Sequence, residues 1–331
     1  MLNFMRHLLR AAALASVIVA TVAAADEPQP LRVNVFPGAQ NLPLYAGLAQ
    51  GIFVRHGFRI DLQFTPNSDD QRNGLAEGKF EIAHAAVDNA VAMVEGAGRN
   101  VIIVLGGDSS MNEFFVQPDI NTIADMRGRE LLVDAPNTAY ALQAKKILLN
   151  NGLKAGDYQL KLAGGTLLRY RAMVENKEGS ASILNVPFSI MARQKGAKSL
   201  GRTIDLLGPY QATGAFVIRS WAAANADTLS RYIAAYVESL RWALAPEHRN
   251  DSIDLLVKWL KIPRDVAEQT YDMARDPKFG FTPDAKFDLA GFKNLLSLRA
   301  EIEGQWDGKA PAPDKYFDMQ YYERALKALG R

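Results

Sequence analysis

The chain contains no cysteine. Disulfides, thiolate nucleophiles and cysteine-ligated metals are therefore excluded by composition. Histidine is nearly as scarce. His7, His56, His84 and His248 are scattered, with no H-E-x-x-H and no paired metal-ligand spacing. Neither a G-x-S-x-G elbow nor a G-x-x-x-x-G-K-[ST] phosphate loop occurs. His84 lies near Asp88, but no nucleophile accompanies them, and a packed or capping histidine is the preferred reading. No cofactor, no metal and no catalytic residue is expected.

An excess of charge of one sign is also lacking. Arg6 and Arg10 precede an apolar run from Ala11 to Val22 and an A-x-A site at Ala23-Ala24-Ala25. This is the pattern of a secretory signal peptide, residues 1–25, cut before Asp26. The run is too short for a comfortable membrane span, and no cysteine at the cut site can carry a lipid. Removing the leader takes two arginines and no acid, which leaves 36 bases against 36 acids. A neutral mature surface gives no reason to expect nucleic acid or an anionic membrane as partner. An exported, unlipidated, soluble protein of a compartment such as a bacterial periplasm is expected, and a monomer.

What is present is a repeated strand–helix grammar. Leu31, Val33 and Val35 alternate with polar residues as a short strand does. Pro37-Gly38 breaks the strand, and Asn41 followed by Leu42-Pro43 opens a helix. Phe58, Ile60, Leu62 and Phe64 alternate again, completing a βαβ-sized unit. Further strands are expected at Phe80–Ala83, Val101–Leu105, Phe114–Val116, Glu130–Val133, Tyr158–Leu162, Ala181–Leu184, Thr203–Leu207 and Ala215–Ile218. Residues 84–89 read as a loop. The all-apolar Val101–Leu105 suits a strand buried on both faces. From Trp221 onward the pattern is helical, with Ser230–Leu244 and Ile253–Leu260 amphipathic.

This order of motifs resembles the periplasmic solute-binding proteins of ABC importers. The branch is that of the nitrate, sulfonate and taurine receptors and the thiamine-pyrimidine-precursor binders. The residues carrying the resemblance are Pro43-Leu44-Tyr45-Ala46, Gly51-Ile52-Phe53 and His56-Gly57-Phe58-Arg59-Ile60, then Leu75 through Ala83. Met126-Arg127-Gly128 and Arg171-Ala172-Met173 ahead of Ala181–Leu184 and Pro187 continue it. The resemblance covers nearly the whole mature chain. It implies an α/β fold of two Rossmann-like lobes joined by two extended crossings, near Phe114 and near Ala215, with a helical C-terminal region packed on the first lobe. Residues 26–115 and 215–331 would form the first lobe and 116–214 the second. It further implies a hinge that closes around a small molecule and a membrane permease as partner.

The loop assignment then supplies candidate ligand contacts. On the first lobe these are Gln40, Asn41 and Tyr45, then Asn67 and Ser68, then Asp88 and Asn89. On the second they are Asn137, Thr138, Thr166, Asn185 and Pro187. For Asn67, Ser68, Thr138 and Thr166 taken singly, a cap or turn role is the stronger reading; together, all of them fall at the same ends of their strands. Such groups could hold an oxyanion. Asp88 facing the cleft would instead suit an amine, amide or pyrimidine donor, so the sign of the ligand's charge stays open. Tyr45 and Tyr210 could stack on a ring, and Arg171 could complement an acid unless it is a surface residue.

Transport receptor is the leading function. An exported enzyme on the same fold and a sensory subunit presenting ligand to a membrane kinase are the alternatives. A pyrimidine-precursor synthase uses a related fold but depends on a cysteine-rich iron motif, which a chain without cysteine cannot supply.

Overall fold

The computed structural model describes residues 27–330; the leader expected at 1–25 lies outside them. Among the described residues, ten strands form two five-stranded sheets. The first contains β1 (Gln29–Val35), β2 (Phe58–Phe64), β3 (Ile82–Ala86), β4 (Val101–Leu105) and, much later in the chain, β10 (Thr213–Ile218). The second contains β5 (Asn112–Val116), β6 (Glu130–Val133), β7 (Gln159–Leu162), β8 (Ala181–Asn185) and β9 (Lys198–Arg202). Their orders are β2-β1-β3-β10-β4 and β7-β6-β8-β5-β9. In each sheet one strand runs against the rest: β10 is antiparallel to β3 and β4, and β5 to β8 and β9.

Those two strands follow the chain's passages between lobes. Phe114 was expected at a crossing but lies inside the second sheet, paired with Ile183. The first passage is therefore 106–111, and the second is 208–212. Gly107 shows how tightly they meet. A Cβ there would stand 2.6 Å from Thr213 Oγ1 and 2.8 Å from the Thr213 carbonyl oxygen. Ala212 N also donates to Asp108 O at 3.2 Å, so the passages are tied to each other.

Two other expectations are corrected. The strand expected at Thr203–Leu207 is a short helix, and the strand is the preceding Lys198–Arg202. That edge strand is half-buried and polar, so its sequence carries little apolar signal. Ile204, Leu206 and Leu207 instead pack, partly buried, against the core from a helical turn. Residues 84–86, read as loop, extend β3, because His84 is held in register by Val35 on one side and Ala215 on the other. His84 is a packed histidine. It shares a 2.7 Å hydrogen bond with Tyr232 and stacks on Tyr236 at 4.9 Å, and burial pushes its pKa down to about 3.

The C-terminal helices cover the first sheet. Helix Ala226–Leu244 packs Tyr232, Ile233, Tyr236 and Leu240 into the core with Leu31, Val33 and Val35 of β1. Helix Leu289–Glu303 packs Phe292, Leu295 and Leu296 into a second cluster with Ala83 and Phe216; Leu142 joins it from the other lobe. The edge of β4 is capped where Ile103 N donates to Tyr316 O and accepts at its own carbonyl from Asp318 N, both at 2.9 Å, which blunts an otherwise open sheet edge. Among the described residues no helix is long and apolar enough to cross a membrane.

Candidate functional site

Parallel strands present their carboxyl ends, the usual ligand-binding edge of open α/β sheets, toward one cleft between the lobes. The space there, counting the part open to solvent, is about 470 Å³. From the first lobe, Phe36 and Gln40 follow β1, Ser68 follows β2, and Asn89 follows β3; from the second, Asp134, Thr138 and Tyr140 follow β6, Thr166 and Arg169 follow β7, and Asn185 ends β8. The lobes touch at the rim. Gly165 N donates to Pro66 O at 2.8 Å, and a Cβ on Gly165 would come within 2.9 Å of the Phe36 ring.

The chemically distinctive group is Arg169, in the short helix Thr166–Tyr170 and only 2% exposed. Its Nε donates to Ser182 Oγ at 3.0 Å, Nη1 to Gly164 O at 2.6 Å, and Nη2 to Thr166 Oγ1 at 3.1 Å and Ile183 O at 3.3 Å. These four bonds use four of the five guanidinium donors and leave one on Nη1. The Tyr140 ring lies 5.4 Å from the guanidinium carbon. Every partner is uncharged. Among the described residues no carboxylate lies within 4.0 Å of this cation. Burial pushes the Arg169 pKa below its ordinary value, against the opposing pull of Asp134 and Tyr140. A buried ion without a counter-ion costs several kcal/mol, about what a paired one regains.

Asp134 is the carboxylate that could have neutralised it, but its oxygens are engaged across the cleft. Ser68 opens helix Ser68–Ala76, whose N-cap Asn67 accepts from Asp70 N. Asp134 Oδ2 accepts from Ser68 N at 3.0 Å and from Ser68 Oγ at 2.5 Å. A carboxylate on exposed N–H groups of a helix start is favoured by both the hydrogen bonds and the dipole. This contact closes one lobe on the other. Behind it, Asn89 donates to Ser68 Oγ at 3.3 Å and accepts from Arg72 at 2.7 and 3.0 Å.

Asp134→Asn should therefore loosen closure. Hydrogen bonds to a charged group contribute about 1.5–3 kcal/mol, so ligand affinity is expected to fall about ten- to a hundredfold. Calorimetric titration of wild type and variant checks this; equal affinities would show that the Ser68–Asp134 contact does not couple to binding.

Asn185 faces the same space with an unused acceptor. Its Nδ2 reaches Gln40 Oε1 and the Tyr140 hydroxyl, each at 3.5 Å, while its buried Oδ1 has no partner. Such an atom is expensive to leave unmatched and is ready for a donor.

Of the twelve candidate residues, Gln40, Ser68, Asn89, Thr138, Thr166 and Asn185 line the cleft. The other six do not. Asn41 and Tyr45 lie one turn apart on a helix face turned into the core, where Asn41 Nδ2 donates to Phe36 O at 2.6 Å and Tyr45 stacks on Trp259 at 4.7 Å. Asn67 is spent as a helix cap. Asp88 is buried in an ion pair with Arg299, its oxygens 2.8 and 3.1 Å from the guanidinium, so it has no bearing on the ligand's charge. Asn137 points to Arg72 at 3.3 Å and lends its carbonyl to Arg299 at 2.8 Å. Pro187, after a cis bond from Val186, starts helix Phe188–Gln194 as buried scaffold. Tyr210, a possible ring-stacker, is packed in the cluster with Phe292, and Arg171 is exposed. The sequence reading missed Arg169 and Asp134. Their signals were the i, i+3 spacing from Thr166 and the first polar position after β6.

Known structures share this architecture. A protein of Bordetella bronchiseptica RB50 superposes with a TM-score of 0.80 at 18% identity, covering 92% of this chain and 99% of its own. The periplasmic nitrate-binding protein NrtA of Synechocystis PCC 6803 gives 0.75 at 12% identity, covering 92% and 90%. The alkanesulfonate-binding protein SsuA of Xanthomonas axonopodis pv. citri, bound to MOPS, gives 0.69 at 16% identity, covering 87% and 96%. The desulfurization enzyme DSZB, at 0.60 and 15% identity over 91% and 99%, carries the fold as well. No curated protein sequence matches the chain. The NMT1/THI5-like family model matches residues 39–248, well over half of the chain, and the protein belongs to that family.

Proposed function

We propose that the protein is the exported solute-binding receptor of an ABC importer, and that it captures a small organic anion between its lobes for a membrane permease. One observation carries this reading: Arg169 is a buried cation facing the cleft with no carboxylate within 4.0 Å among the described residues. An anionic ligand supplies the missing charge. Thr166, Thr138, Asn185 and Gln40 surround the same space and offer hydroxyl and amide groups for the ligand's other polar atoms. The Ser68–Asp134 contact links closure to occupancy, since a ligand stabilises the closed state only through contacts that the open state lacks. In this reading the protein acts as a monomer in the periplasm, and its ligand leaves unaltered.

Thermal unfolding with small sulfonates, carboxylates and amines tests the charge. A ligand at a hundredfold over its Kd adds about 2.7 kcal/mol, a rise of roughly 4 °C for a chain of this size. Sulfonates or carboxylates should give that rise and amines should not; the reverse pattern would overturn the proposal. Recovery of bound ligand unchanged by mass spectrometry separates a receptor from an enzyme.

A further inference from the structure

Next to the polar cleft lies a second chamber, about 580 Å³ counting the part open to solvent, lined chiefly by Phe36, Pro37, Phe64, Pro66, Leu167 and Leu168. It takes walls from both lobes. It also shares Phe36, Gly165 and Thr166 with the cleft holding Arg169, so the two spaces adjoin and the Phe36 ring stands at their partition. The outer chamber offers little to a polar ligand. Of its two hydroxyls, Thr65 Oγ1 donates to Asn67 O at 3.0 Å, and Thr166 Oγ1, which accepts from Arg169 at 3.1 Å, belongs equally to the polar cleft.

Its apolar side chains are at the same time unusually open to water. Phe64 shares the face of β2 that holds the buried Phe58, but at the strand's open end it is 45% exposed, and across the chamber Leu168 is 37% exposed. Leu162, at the end of the strand leading into it, is 64% exposed. Behind Phe64 stands Trp259, 6.5 Å away between ring centroids, stacked in turn on Tyr45. This is an apolar wall with an aromatic backing at the mouth of a charged pocket.

We infer that the ligand is an amphiphilic anion, whose head meets Arg169 and whose apolar chain or ring passes Phe36 into the chamber between Phe64 and Leu168. The inference rests on the anion reading above and narrows it. An ion that fills the inner pocket alone leaves the exposed wall uncovered, whereas an apolar body covers it. Charge in one compartment and apolar surface in the next select such a ligand over either an inorganic anion or a neutral hydrocarbon.

The test is calorimetric titration of the full mature chain with two homologous series, alkanesulfonates and alkanoates from two to eight carbons. Once the head is seated, each methylene entering the chamber should raise affinity by about fourfold, up to a plateau where the chamber is full. Leu168→Asp and Phe64→Asp should cut that increment to less than about twofold and weaken the longest members most. Both positions are exposed, so circular dichroism should show the variants folded. A rising series in either headgroup supports the inference and identifies the head. Binding that is flat or falls with chain length overturns it and leaves the anion receptor standing. Failure of every member in both series overturns the two together.

Discussion

Arg169→Met is expected to lower affinity for the organic anion by roughly 30- to 5,000-fold, the 2–5 kcal/mol typical of truncating one side of a buried, hydrogen-bonded charge pair. The same change should alter the stability of the unliganded protein far less. Methionine removes the four hydrogen bonds to Ser182, Gly164, Thr166 and Ile183, but it also removes an ion buried without a counter-ion, and these two effects oppose each other. The pairing of results is what matters. A brace would lose stability and binding together, while a ligand-facing cation loses binding and keeps its melting temperature within a few degrees. Arg169→Lys keeps the charge but not the planar fork, and should recover part of the affinity. Titration calorimetry and thermal unfolding on the three proteins decide the matter. Anion affinity unchanged in Arg169→Met would remove the basis of the functional assignment.

That residue also marks where sequence reasoning stops. Strand ends were legible from alternation and from the Gly, Pro and Asn punctuation that follows. Gln40, Ser68, Thr166 and Asn185 could therefore be placed at one mouth without knowing how the sheets were ordered. Side-chain direction within the helices was not legible. Thr166 and Arg169 share a face of a helix only five residues long, and a wider π-helical turn from Arg171 to Glu175 follows directly. Arg171 is thereby left outside while Arg169 is turned in. Of the two roles weighed for Arg171, acid-binding or surface, its exposed position fits the second. Tyr45 fails for a related reason: its ring is drawn inward by Trp259, more than two hundred residues away in the chain and silent in the local pattern. The position of the first crossing was likewise decided by pairing. Phe114 sits in β5 because β8 and β9 flank it, and no local feature of Asn112–Val116 announces which sheet will take it.

Asp88→Asn should destabilise the protein by about 3–5 kcal/mol, the usual result of removing one member of a buried ion pair. At about 1.6 °C per kcal/mol for a chain of this length, this lowers the melting temperature by roughly 5–8 °C. The pair is bidentate and both side chains are almost wholly enclosed, 1% and 2% exposed. Arg299 has further work in the same place, donating to Asn137 O at 2.8 Å on the opposite lobe and to Gln305 at 3.3 Å. Burial tends to lower the Arg299 pKa, but the Asp88 carboxylate outweighs it and holds the group above its ordinary value. With an asparagine in place of Asp88, the guanidinium stays buried beside a neutral group. Arg299→Met should be costly as well, since it strands the carboxylate. The double variant Asp88→Asn with Arg299→Met should then lose much less than the sum of the two, because neither charge is left alone. Urea titration of the four proteins measures that coupling. Ligand charge preference should be the same in all that fold, because Asp88 does not line the cleft. A loss below about 1 kcal/mol in Asp88→Asn, or a shift of preference from cations toward anions, would return that carboxylate to the binding surface and reopen the sign of the ligand.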